Sequence, residues 1–428
     1  MTMQRRDFLR AAGAAAGAAV LPGCATMGGG SAGKVVVVGG GYAGATCAKY
    51  LRMWSNGAVD VTLIEPRGTF VSCPISNLVI GGSKTIDYVT VPYDNLSRRW
   101  GVNVVRDTAT GIDVDKRVVT TAGGRNLPYD RLVLAPGIEF MWDAIASYKA
   151  DPVRATGIVP HAWQAGEQTV LLRRQLESMP DGGVYALSIP VAPYRCPPGP
   201  YERACQVAWY FKRAKPKSKV LVLDGNPDVT SKAGLFKKAW NDLYKGIVEY
   251  RPNHVLADVD LATKTAKFET ADDVRASVLN VIPPHRAGGI ARTAGVVTAN
   301  NRWCEVDFLS YESIRGKGVH VLGDSIQTAP GMPKSGHMAN NQAKVAAAAI
   351  LRQLGGQSPI ATPMLTNTCY SFITDKDVVH VASVHQYDVA KKTMLAVPGS
   401  GGLSPAMNEL EGRFALSWAQ NIWADTLG

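Results

Sequence analysis

Glycines, one carboxylate and a scatter of cysteines carry the chemistry in this sequence. In VVVVGGGYAGATCAKYL (35–51), Gly39, Gly41 and Gly44 keep the G-x-G-x-x-G spacing directly after four valines. Glu65 ends the next apolar run, VTLIE, 21 positions past the last of these glycines. Glycines at such a turn let a pyrophosphate approach the backbone, and a carboxylate at that remove accepts ribose hydroxyls. The pattern predicts a dinucleotide site and leaves FAD and NAD both open. Cysteines stand at 24, 47, 73, 196, 205, 304 and 369. In an exported chain they can form disulfides, but spacing does not assign partners. There is no C-x-x-C or C-x-x-C-H motif and the seven histidines are dispersed, so neither a metal site nor haem attachment is expected on this chain.

A second strand–helix–strand pattern lies further along: VYALSIP (184–190), a helix over about Tyr201 to Ala214, and KVLVLD (219–224). Its turn reads IPVAPYRCPPGPYER, with prolines at 190, 193, 197, 198 and 200 and Gly199 as the lone glycine. Prolines remove the backbone N–H donors that a pyrophosphate needs. The architecture is that of a nucleotide-binding unit, yet its nicotinamide site is predicted to be lost, and Cys196 occupies the turn.

The elements that must position these groups call for a chain with a large core. With 428 residues, 46% hydrophobic and 19% charged, two or three globular domains are expected. The net charge of +11 suits an acidic partner or an anionic substrate; no aromatic-interleaved basic cluster points to nucleic acid. Residues 1–23, MTMQRRDFLRAAGAAAGAAVLPG, combine twin arginines with a short, weakly apolar run and small residues, the pattern of a twin-arginine export signal. This predicts a periplasmic protein. LPGC (21–24) approximates a lipoprotein box that would place a lipid on Cys24. No segment has the length of a transmembrane span.

YDRLVLAPG (129–137) and GVHVLGD (318–324) resemble the paired strand motifs of the two-dinucleotide flavoproteins. That resemblance makes the first site one for FAD and adds Gly137, Gly323 and Asp324 to the cofactor-binding set. Asp324 would bind the ribityl chain, and the helix in PKSGHMANNQAKVAAAAIL would aim its N-terminus at the isoalloxazine. The implied fold class is α/β, with two Rossmann-like domains of the disulfide-reductase type plus a C-terminal α+β domain. The expected boundaries are 1–31 for signal and linker, 32–142 with 288–358 for the FAD domain, 143–287 for the second unit, and 359–428 for a flavin-capping and partner-binding domain.

FVSCPISNLVIGG (70–82), YRCPPGPYERA (194–204), LGDSIQTAPGMPKSGHMANNQ (322–342) and NTCYSFI (367–373), with the signal, resemble the flavoprotein subunit of flavocytochrome c sulfide dehydrogenase. Sulfide:quinone oxidoreductases are more distantly similar. The resemblance implies that Cys73 carries FAD through a thioether, and that Cys196 and Cys369 form a redox-active disulfide beside the flavin. Hydrosulfide would attack that disulfide by thiol exchange, and electrons would pass from the flavin to a c-type haem on a partner subunit, with no NAD(P)H involved. Glu202 is the candidate acid/base, although a glutamate in a first helical turn also suits the helix dipole. Arg195 and Arg203 flank the loop as candidates to attract hydrosulfide or stabilise a thiolate. Cys47, Cys205 and Cys304 are read as structural. Phe414, Trp418 and Ile422 recur at i, i+4, i+8 and are predicted to pack as a core stripe. A quinone-reducing enzyme and a non-catalytic flavin-bearing partner of sulfur carriers are the alternatives.

Overall fold

The computed structural model of this protein describes residues 31–428; the export signal and Cys24 lie outside the described residues. The four valines of β1 (Lys34–Val38) are buried, as a parallel strand covered on both faces demands. β1 leads through the glycine turn into α1 (Tyr42–Trp54) and pairs in parallel with β2 (Asp60–Ile64). β3 (Asn103–Val105) extends the sheet beyond β2. On the other side of β1 lies β4 (Arg131–Leu134), followed by the much later strand Val319–Val321. The first sheet is therefore built from both ends of the chain.

Between those ends runs the second sheet, in the order β7-β6-β5-β8 and wholly parallel. Its strands are β5 (Val184–Ile189), β6 (Lys219–Asp224), β7 (Val248–Arg251) and β8 (Val278–Val281). α2 (Gly199–Ala214) connects β5 to β6, and α3 (Ala233–Asp242) connects β6 to β7. α2 begins two residues earlier than the sequence predicts. Pro200 sits in its first turn, where a missing N–H costs no helical hydrogen bond.

The chain then returns through β9 (Val319–Val321) to α4 (Gly336–Leu354). It ends in an antiparallel sheet of β10 (Met364–Phe372), β11 (Val378–Asp388) and β12 (Thr393–Ala396), followed by α5 (Glu409–Leu427). In β10, Cys369 pairs with Val381 of β11.

The expected stripe on α5 holds at Ile422, in the core, and at Trp418, partly buried against it, and needs correction at Phe414. Phe414 is 50% exposed, and the face turned inward is Gly412, Ala415, Ala419, Ile422 and Trp423. A Cβ on Gly412 would come within 1.8 Å of the Lys376 carbonyl oxygen, so the helix approaches its neighbour too closely for large side chains in its first turns. Among the described residues no helix is long and apolar enough to cross a membrane.

Candidate functional site

The glycine turn after β1 opens one wall of a deep cavity, and each glycine there answers a separate steric demand. Gly39 has φ +98°, a backbone that side chains resist. A Cβ on Gly44 would lie 1.8 Å from the Gly39 oxygen, so only glycine lets α1 pack against the turn. A Cβ on Gly41 would meet nothing within 4 Å; it would enter the cavity that Gly41 lines. Glu65, at the end of β2, accepts from Gly40 N–H at 2.7 Å and from Arg67 N–H at 3.0 Å, and it lines the same cavity. Gly137, with φ +69°, and Gly323, with φ +71°, continue the wall.

Asp324 follows Gly323. Its Oδ1 is buried without a hydrogen-bond partner among the described residues, and its side chain lines the cavity. Burial pushes its carboxyl up from the usual carboxylate range, against the pull of Arg195 and Lys334. Ser335, Gly336 and His337, the opening of α4, also face the cavity. An open glycine cradle, a carboxylate at the end of the second strand, an orphaned buried acid and a helix N-terminus fit a flavin dinucleotide.

Cys73, Cys196 and Cys369 all line this cavity. Cys73 sits in a tight turn held by the Ser76 hydroxyl, which donates to the Cys73 carbonyl at 2.6 Å. Ile75 beside it has φ +75°, a left-handed backbone that a β-branched residue adopts only when the surroundings impose it. Cys196 is also left-handed, at φ +56°, and its N–H donates to the Lys334 carbonyl at 2.8 Å. That bond ties the proline-rich turn to the segment leading into α4. Cys369 comes from β10. Thus 173 positions of sequence separate two cysteines that the fold brings to one cavity, both as free thiols.

Burial pushes the Cys196 thiol well up; neighbouring Cys369 and Glu202 add to this, and Arg195 opposes it. Cys369 is also raised by burial, but Lys232 and hydrogen bonds from Asn367 and Ser335 pull it down. Cys47, Cys205 and Cys304 are fully buried, as structural thiols should be.

Glu202, in the first turn of α2, is buried against the cavity. One carboxylate oxygen accepts from Phe372 N–H at 2.9 Å and the other from Asn77 Nδ2 at 2.7 Å. Burial raises its carboxyl, with these two bonds opposing. The two arginines diverge. Arg203 donates to Asn77 Oδ1, His161 O, Asn280 Oδ1 and Ala162 O and lies over the Trp163 ring, so its role is to brace the cavity wall. Arg195 donates to the Trp163 carbonyl and carries its charge among Cys73, Asp324 and Cys196.

Several site residues carry no signal in the sequence. Asn77 links Glu202 to Arg203, and Trp418 of α5, packed partly buried against the core, also lines the cavity. Lys232, a buried lysine just before α3, donates to the Cys369 carbonyl at 2.8 Å and to Ser371 Oγ at 2.7 Å. A lone lysine before a helix has no distinguishing spacing.

Matches to known proteins span most of the elements that build this cavity. The family model for the central part of the sulfide dehydrogenase [flavocytochrome c] flavoprotein chain matches residues 169–283. The flavocytochrome c sulphide dehydrogenase flavin-binding model matches 361–427, and a pyridine nucleotide-disulphide oxidoreductase model matches 33–146. A twin-arginine translocation signal model matches residues 2–22. The sulfide dehydrogenase [flavocytochrome c] flavoprotein chain of Chlorobaculum thiosulfatiphilum is 56% identical over 46 residues, which are 11% of this chain and 94% of that sequence. The mitochondrial sulfide:quinone oxidoreductase of Dictyostelium discoideum is 24% identical over 302 residues, 68% of this chain. The match spans 65% of that relative, a little under two thirds of its length. The sulfide:quinone oxidoreductase structure from Aquifex aeolicus superposes with a TM-score of 0.74 at 18% identity, covering 92% of this chain and 91% of that one; it shares the two-unit Rossmann-type fold. By these matches the chain belongs to the family of flavocytochrome c sulfide dehydrogenase flavoprotein chains.

Proposed function

We propose that this chain is an exported sulfide-oxidising flavoprotein that works in the periplasm and passes electrons to a c-type haem on a partner subunit. The observation that carries this reading is the convergence of Cys73, Cys196 and Cys369 on the one cavity that the glycine turn, Glu65 and Asp324 also line. FAD is held by the glycine turn, Glu65 and Asp324, and Cys73 is the anchor for its covalent attachment. When bound, the flavin accepts an electron pair and returns electrons singly.

The chain's own residues prepare the substrate. Glu202, fixed in place by Phe372 and Asn77, takes the proton of hydrogen sulfide as it becomes hydrosulfide. In the oxidised protein Cys196 and Cys369 are joined as a disulfide. Hydrosulfide attacks one of its sulfurs, and the other cysteine leaves as a thiolate. Trp418 of α5 adds an aromatic ring to the cavity lining. The second unit does not bind NAD(P)H. In its turn the N–H groups of Arg195 and Cys196 already bond His285 and Lys334.

The deciding experiment is an anaerobic sulfide titration of the purified protein, following flavin bleaching with and without a c-type cytochrome. Bleaching by sulfide followed by reduction of the cytochrome supports the reading; an unbleached flavin overturns it. The sequence likeness to the Dictyostelium discoideum sulfide:quinone oxidoreductase favours a second reading, in which a quinone accepts the electrons. Reoxidation by a soluble quinone analogue but not by cytochrome would select it.

A further inference from the structure

The reaction as proposed leaves open which of the two sulfurs hydrosulfide attacks, and the surroundings of Lys232 bear on that choice. On a strand, residues two apart share a face, so Cys369 and Ser371 of β10 point the same way. The Lys232 ammonium donates to Ser371 Oγ at 2.7 Å and to the Cys369 carbonyl at 2.8 Å. It therefore sits on the face that presents the Cys369 sulfur. The lysine is 5% exposed and has φ +57°, so an unfavourable backbone is retained to bring a charge into the interior. Asn367 Nδ2 donates to Cys369 Sγ at 3.4 Å and is itself held by Ser335 Oγ at 2.6 Å. The Cys196 sulfur receives no hydrogen bond among the described residues, and its cationic neighbour, Arg195, divides its charge with Cys73 and Asp324.

We propose that Lys232 is a positioning residue that makes Cys369 the leaving thiolate, so that hydrosulfide attacks Cys196 and the persulfide forms there. This rests on the sulfide reading above. The lone pair of hydrosulfide forms the new bond to the Cys196 sulfur. The Cys196–Cys369 bond breaks, and its electron pair leaves on Cys369; no further oxidant is consumed. The better-stabilised thiolate is the faster leaving group. The charged and titratable groups around Cys369 are Lys232, Glu202 and Cys196, and those around Lys232 include Glu411 as well. Burial brings the Lys232 ammonium down to about 8, so it is charged at neutral pH and the preference fades on the alkaline side.

The test reads thiol acidity without turnover. The full-length flavin-bearing protein, reduced with dithiothreitol, is alkylated with iodoacetamide across a pH series, and the peptides carrying Cys196 and Cys369 are quantified by mass spectrometry. Cys369 should react at lower pH than Cys196. At pH 7, where the Lys232 ammonium is charged, Lys232→Met should slow Cys369 alkylation about tenfold and leave Cys196 unchanged, with Lys232→Arg restoring it and the difference shrinking above pH 8. Cys196 titrating first, or a Cys369 profile indifferent to Lys232→Met, overturns the inference. A measurement on the unaltered protein removes dependence on the variant's folding: one equivalent of sulfide, then rapid alkylation, should leave an extra sulfur on the Cys196 peptide. Extra sulfur on Cys369 refutes the assignment while sparing sulfide oxidation. No added sulfur on either, with the flavin still oxidised, refutes sulfide oxidation itself, and the alkylation order still decides what Lys232 does.

Discussion

Two strand-to-helix corners of this molecule, one after β1 and one after β5, begin from the same architecture and end in opposite chemistry. Both leave a buried parallel strand and enter a helix at the cavity's edge. The first corner keeps three glycines, and its Gly41 leaves space where a side chain would stand. The second is filled with prolines, spends its N–H groups on His285 and Lys334, and projects Cys196. The acid that ends its second strand, Asp224, is likewise occupied, accepting from Tyr201 and Tyr250 hydroxyls at 2.8 and 3.1 Å. A nucleotide corner thus becomes a sulfur corner when its donors are satisfied internally and a thiol replaces the open glycine.

The largest effect that would sharpen this contrast comes from the sulfur corner itself. Cys196→Ser or Cys369→Ser should abolish sulfide-dependent bleaching, by several orders of magnitude in rate, while the flavin stays bound; bleaching at the unaltered rate in either variant breaks the assignment. Glu202→Gln should slow bleaching by about 10²-fold, as expected for loss of a general base. The same variant carries a pH signature. Burial raises the Glu202 carboxyl, so the folded chain holds a proton that the unfolded chain has released. This group's contribution to stability is therefore present at low pH and is lost as pH rises through the folded value. Thermal melts across that window should show a shallower decline for Glu202→Gln, and an unchanged slope would remove Glu202 as its source.

At the glycine corner the expected effects are smaller and separable. Gly44→Ala places a carbon against the Gly39 carbonyl and should cost about 1–3 kcal/mol of stability, seen as a lower Tm even without flavin. Gly41→Ala meets no protein atom; it should leave the Tm of flavin-free protein unchanged and reduce the flavin retained on purification. Equal losses of Tm in both variants would mean that Gly41 does not face the dinucleotide.

The elements that position these corners were legible because they rest on local patterns. Four consecutive valines have no stable place except a strand buried on both sides, and KVLVLD folds as the strand the sequence predicts. The cysteines at 73, 196 and 369 were legible only through motif resemblance, since nothing in spacing joins β10 to the turn after β5. Lys232 was illegible because its meaning lies in the packing of the segment before α3 against β10, a long-range contact. The α5 stripe misled at Phe414 for a related reason. Counting large apolar residues at helical spacing points to Phe414, whereas close approach of the helix selects Gly412, Ala415 and Ala419 for the inner face.

The smallest effect is a null one, and it bears hardest on the comparison. If prolines alone had closed the second corner, a double variant, Pro197→Gly with Pro198→Gly, would reopen it to a nicotinamide dinucleotide. The geometry argues otherwise. Neither substitution frees the Cys196 N–H from Lys334 or the Arg195 N–H from His285. Asp224 would still have to surrender two tyrosine hydroxyls before it could accept ribose hydroxyls, and unmaking buried hydrogen bonds costs roughly 1–3 kcal/mol for each group left unpaired. Anaerobic addition of NADH to the double variant should therefore leave the flavin absorbance unchanged, as in the unaltered protein, while sulfide still bleaches it. Bleaching by NADH in the variant alone would show that the prolines, rather than the refilled hydrogen-bond network, separate the two corners.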